Sequence, residues 1–160
     1  MASSVPNYFF LKDKLYKKIR IVKSENYLVC WSYEDEMRMR FNYSSVLREA
    51  TKAYSVSEVS KLLEKTPGYI WALIGNKIAD HPSGRSYNAN KRPMKWYWSE
   101  QDILDLRQAI FDSAPKNEYG EPYGKFRLIS KVRLLSKMRE DTSYYVKNQN
   151  GEFVKVWRAT

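Results

Sequence analysis

One cysteine, one histidine and no apolar run long enough to cross a bilayer leave this 160-residue chain with few chemistries open to it. A membrane-spanning helix needs about 20 consecutive apolar residues, and none is present. Cys30 alone excludes an internal disulfide and any cysteine-based zinc cluster. His81 alone excludes histidine-rich metal sites and leaves few routes to acid–base catalysis at neutral pH. No nucleophilic triad, phosphate-cradling glycine loop or convergent carboxylate cluster can be read from the residues, so a non-enzymatic role without cofactor or metal is expected. The first eleven residues carry no basic leader and run straight into lysines, which argues against a secretory signal and for a cytoplasmic protein. The length suits one ordinary domain or two very small ones, and a chain of this size buries roughly two thirds of its unfolded surface without a staple.

What the chain does have is positive charge. Lysine and arginine number 28 against 18 acids, for a net charge of +10. Two windows hold bases and no acid: 81–98, with Arg85, Lys91, Arg92 and Lys95, and 125–139, with Lys125, Arg127, Lys131, Arg133, Lys137 and Arg139. An acidic segment with Glu100, Asp102 and Asp105 separates them. Solubility explains a net charge but not its clustering, and clustered bases are the electrostatic footprint of nucleic-acid binding.

The first 43 residues read as an antiparallel β-meander. Met37, Met39, Phe41 and Tyr43 alternate with Arg38, Arg40 and Asn42, giving one apolar and one basic face. Residues 27–33 form a short aromatic and β-branched run suited to a central strand, with Cys30 as a small core residue. Leu15, Ile19 and Ile21 suggest a third strand. No segment nearby offers this sheet a covering layer, so the later helices or a second copy of the chain are expected to cover it.

The middle is helical. Ser55 and Glu58 form a capping box, and Tyr54 and Val59 a hydrophobic staple, for a helix over 56–65. Thr66 and Pro67 start a second helix with Ile70, Leu73 and Ile74 as its inner stripe, and Gly75 and Asn76 stop it. A polar, basic hairpin or loop spans 79–95 and returns on the aromatic strand 94–98. Ser99 and Asp102 then cap a helix with Ile103, Leu106 and Ile110 inside. Residues 113–124 hold two prolines and two glycines and read as a linker. Beyond it, Leu128, Ile129, Val132, Leu135 and Met138 mark a helix with a basic opposite side, and Asn-Gly at 150–151 signals a closing hairpin with a type I′ turn.

Residues 54–112 resemble the winged helix-turn-helix of the MerR family and of phage excisionases. The capped opening helix from Tyr54 to Leu63, the start Thr66-Pro-Gly-Tyr-Ile70, and the basic–aromatic strand at 95–98 followed by Ser99-Glu-Gln-Asp-Ile103 stand in that family's order. The resemblance implies a central winged helix-turn-helix over 54–112, and with the N-terminal β-meander region over 1–53, the linker at 113–124, and the C-terminal basic helix and β-hairpin over 125–160 read from the residues, the expected fold is α+β. The resemblance also implies a sequence-preferring duplex DNA-binding protein, a transcriptional or recombination regulator of a phage or mobile element, held at the host nucleoid. Lys65, Thr66, Gly68, Tyr69, Ala72, Asn76 and Lys77 would lie on or beside the recognition helix, and Arg85, Lys91, Arg92 and Lys95 on the wing. A helix N-terminus there presents free N–H groups to phosphate, Ala72 suits a thymine methyl, and Asn76 suits adenine. The 125–139 bases form a secondary basic surface for DNA or an acidic protein. Duplex DNA is thus the first partner, with a second copy of the chain or a host protein after it, and no membrane. Competing roles are a small-terminase-like packaging component, an inhibitor of a host factor acting through the basic surface, and an RNA binder stacking bases on the N-terminal sheet.

Overall fold

The computed structural model describes residues 5–124, 126–147 and 149–157. The architecture is mixed α+β, and its first unit is a five-stranded antiparallel sheet whose strands lie in the order Met37–Asn42, Tyr27–Ser32, Lys14–Val22, Tyr8–Leu11, Thr51–Lys52. Strands β1 (Tyr8–Leu11) and β2 (Lys14–Val22) join through Lys12 and Asp13, both at positive φ (51° and 65°), the backbone that a two-residue hairpin requires. Without glycine or asparagine at that turn, β1 leaves no signal in the sequence. Strand β3 (Tyr27–Ser32) alternates buried and half-buried residues, and β4 (Met37–Asn42) pairs beside it. A register irregularity between Lys18 and Arg20 interrupts β2, and Ile19 there is exposed rather than part of an inward stripe.

The expectation of strand through Tyr43 is corrected. The Asn42 side chain accepts from Ser45 N–H at 3.0 Å and caps a short helix, α1 (Tyr43–Glu49). Tyr43, Val46 and Ala50 then lie over Phe9, Leu11, Tyr16, Leu28 and Cys30, so the sheet has the covering layer that its sequence did not announce. The short β5 (Thr51–Lys52) returns to pair with β1.

Helix α2 (Val56–Leu63) carries the expected capping box, with Glu58 N–H to Ser55 Oγ at 3.3 Å and Ser55 N–H to Glu58 Oε1 at 3.2 Å. It ends two residues earlier than expected, because Glu64 turns left-handed at φ 58°. Helix α3 (Pro67–Gly75) starts at Thr66, whose Oγ1 accepts from Tyr69 N–H at 3.2 Å. It stops at Gly75 with Asn76 as its C-cap, as expected, and Lys77 beyond them turns left-handed (φ 59°). Strands β6 (Gly84–Tyr87) and β7 (Pro93–Tyr97) form a hairpin, and Trp98 bridges back to Tyr54. Helix α4 (Glu100–Ser113) follows its Ser99–Asp102 capping box. Val59, Leu63, Ile70, Trp98, Ile103 and Ile110 close the second core.

The first and second units share apolar contact. Phe10 and Leu15 of the sheet pack with Ala53 and Tyr97, and a Cβ on Gly84 would stand 2.8 Å from Phe10. The hairpin's close approach to the sheet therefore requires glycine at 84.

The segment expected as a linker is ordered. Lys116 pairs with Pro122, and its ammonium donates to the carbonyls of Phe111, Asp112 and Ala114 at 2.8–3.1 Å, capping α4. Helix α5 (Lys131–Thr142) starts from Ser130, whose Oγ accepts from Arg133 N–H. Its buried residues are Leu134 and Met138, while Val132 is 79% exposed, which corrects the expected stripe. Leu128 and Ile129 precede the helix, so the spacing read through them set the wrong phase. Strands β8 (Ser143–Lys147) and β9 (Phe153–Trp157) form the expected hairpin, pairing from Lys147↔Phe153 with five residues between them rather than the two of a type I′ turn. Asn148 of that loop lies outside the described residues.

Candidate nucleic-acid interface

The outward side of α3 follows from its inward one. Ile70, Leu73 and Ile74 are buried, and 3.6 residues per turn then leaves Tyr69, Ala72 and Asn76 facing away, all three exposed. Thr66 and Gly68 at the helix start and Lys77 beyond its end are exposed as well. A Cβ on Gly68 would meet nothing within 4 Å, so the first turn of α3 opens onto free space. Trp71 turns inward and its ring lies 5.4 Å from that of Trp98, which ties the foot of β7 to α3.

Lys65 is held more tightly than a surface lysine. Its ammonium donates to the Arg127 carbonyl at 2.6 Å and sits 5.5 Å from the Tyr69 ring and 5.6 Å from Phe126. That bond joins the start of α3 to the segment leading into α5. Arg133 and Lys137 of α5 reach the same place, at 3.5 and 3.3 Å from Glu64 Oε1. The bases expected as a separate surface thus converge on the α2–α3 turn. Arg127, Lys131 and Arg139 are exposed around them, and Lys125 lies outside the described residues.

The four bases of the 81–98 window divide. Arg92 and Lys95 are exposed. Lys91 is exposed at the hairpin tip and pairs with Glu36 of the sheet at 3.8 Å. Arg85 departs from the expected phosphate-contact role: its guanidinium lies 4.3 Å from the centre of the Trp96 ring, and its Nε is buried. A stacked, partly desolvated guanidinium holds the hairpin together. His81 lies 5.1 Å from Trp96.

A second basic surface lies on the sheet face opposite α1. Lys17, Trp31 and Arg38 stand in register across β2, β3 and β4, as do Arg20, Val29 and Arg40. The Arg40 guanidinium covers Tyr27 at 3.7 Å. The alternation of Arg38 and Arg40 with apolar residues signalled this face, but the roles of Lys17, Arg20 and Trp31 depend on cross-strand register, which sequence alone does not set.

Burial pushes the Cys30 thiol up to about 12 and raises Tyr33 and Tyr97 above the usual tyrosine range, the Tyr8 hydroxyl beside both adding to the shift. Among the described residues no helix is long and apolar enough to cross a membrane, and no group of three or more His, Cys, Asp or Glu is placed to hold a metal ion. No family model, curated protein or solved structure matches the chain.

Proposed function

We propose that the chain binds duplex DNA with sequence preference as a winged helix-turn-helix protein, with α3 as the reading helix and β6–β7 as the wing. The observation that carries this reading is the composition of the exposed side of α3. An open, glycine-bearing first turn, a tyrosine, an alanine and an asparagine face solvent, and Arg133 and Lys137 of α5 reach Glu64 at the turn that precedes the helix. N–H groups at such a helix start favour phosphate, and asparagine bonds adenine in the major groove. The role is non-enzymatic, regulating transcription or recombination in the manner of the MerR and excisionase proteins that the sequence resembles, which places the protein at the nucleoid of a bacterial host.

Selection from a random duplex library tests the reading and delivers the site. Tyr69→Ala and Asn76→Ala should each cost roughly 1–3 kcal/mol on that site and little on random DNA. Arg92→Ala should weaken both alike and shallow the salt slope by about one unit. Full site preference in folded Tyr69→Ala and Asn76→Ala variants would remove α3 as the reader.

A further inference from the structure

We infer that the trough between the outer sheet face and the β6–β7 hairpin holds an unpaired DNA strand. The trough has a volume of about 760 Å³ and is lined by Lys17, Trp31, Tyr33, Arg38, Tyr87 and Lys91, among others. Its charge suits a polyanion: Lys17, Arg20, Arg38, Arg40 and Lys91 gather on or beside this face, and Glu36, already paired with Lys91, is the carboxylate in the lining.

The aromatic residues decide between paired and unpaired nucleic acid. Trp31 stands in the middle strand between Lys17 and Arg38 in register, and it belongs to none of the three apolar clusters of the described residues. Its ring is therefore not needed by the core. Tyr87 is 41% exposed and meets the trough from the hairpin, where the β6–β7 register shifts between Arg85 and Tyr87. A base inside a duplex must first unpair and leave its stack to reach a ring on the floor of a walled trough. Bases of a single strand reach it without that cost, while their phosphates meet the flanking cations.

The choice of DNA over RNA rests on the proposed duplex reading. The hairpin that forms one wall of the trough is anchored to α3 through Trp98 and Trp71. A strand separating from duplex held at α3 thus meets the trough on the sheet side of the same hairpin.

The test uses the full chain and a labelled oligo-dT of about 12 nucleotides, within the site size of single-strand-binding grooves. Fluorescence anisotropy should show binding, and Trp31→Leu and Tyr87→Ala should each weaken it by roughly five- to 150-fold, the range for loss of one stacked base. Both variants should keep wild-type affinity for duplex, while Asn76→Ala should leave oligo-dT binding unchanged. Absence of oligo-dT binding overturns the proposal, as does unchanged binding by both variants with intact circular dichroism. Tighter binding of oligo-U than oligo-dT also overturns it, since the trough would then serve RNA. Loss of oligo-dT binding in Trp31→Leu, in a protein that ignores duplex, would support the trough and remove the α3 reading instead.

Discussion

Replacing Glu64 with glutamine should tighten DNA binding while barely altering the fold. Glu64 ends α2, faces the start of α3, and holds Arg133 and Lys137 at 3.5 and 3.3 Å. Its side chain is 50% exposed, so each ion pair contributes at most about 1 kcal/mol, and glutamine keeps the side chain's length. On the DNA side the carboxylate is a repulsive charge at the edge of the proposed surface. At about 7 Å from a phosphate it costs roughly 0.6 kcal/mol in water, so two neighbouring phosphates give about 1.2 kcal/mol, or roughly sevenfold in affinity. Freed from Glu64, Arg133 and Lys137 can also meet phosphate, steepening the logarithmic salt slope by up to about 1.8. Anisotropy on a random duplex between about 50 and 200 mM salt measures both quantities. Glu64→Gly serves as the companion variant, because it removes the same charge and relieves the left-handed backbone at φ 58°. It should gain DNA affinity equally while melting no lower than Glu64→Gln. Unchanged or weaker affinity in both folded variants would refute the reasoning that puts Glu64 and the α5 bases at the edge of the proposed DNA surface.

Other expectations follow from the packing. Gly84→Ala should lower stability by roughly 1–3 kcal/mol in thermal melts, since its Cβ would stand 2.8 Å from the buried Phe10. Arg85→Ala should lower the melting temperature through loss of its stack on Trp96, without changing the salt slope of duplex binding. Tyr33 and Tyr97 are held protonated above the usual tyrosine range, so their contribution to stability is complete below about pH 10 and is lost as pH rises past it. Chemical denaturation at stepped alkaline pH should show the midpoint falling there, and Tyr97→Phe should blunt the fall. Cys30, buried and pushed up to about 12, should react with a thiol reagent at neutral pH only as fast as the protein unfolds, read as thiol release against denaturant.

The sequence by itself determined the helices of the middle and how each begins. Ser55, Thr66 and Ser99 are capping residues whose partners lie three positions away, so the whole interaction sits within one turn and needs no tertiary context. The inward stripe of α3, and hence the outward placing of Tyr69, Ala72 and Asn76, follows from helical period alone. Legibility failed where an element is short or where its phase depends on an irregularity. Helix α1 has only seven residues and follows a strand pattern without a break, and α5 starts only at Lys131, past Leu128 and Ile129, so the stripe read through those two residues put Val132 in the core when it lies in solvent. Only tertiary structure decided which bases are free. Glu64 and Lys137 are 73 positions apart, and Lys91 meets Glu36 across the gap between hairpin and sheet. An acid-free window in the sequence is therefore not an acid-free surface. Register decided the rest: pairing across β2, β3 and β4 sets Trp31 between Lys17 and Arg38, an arrangement fixed by strand geometry and by burial of the opposite face under α1.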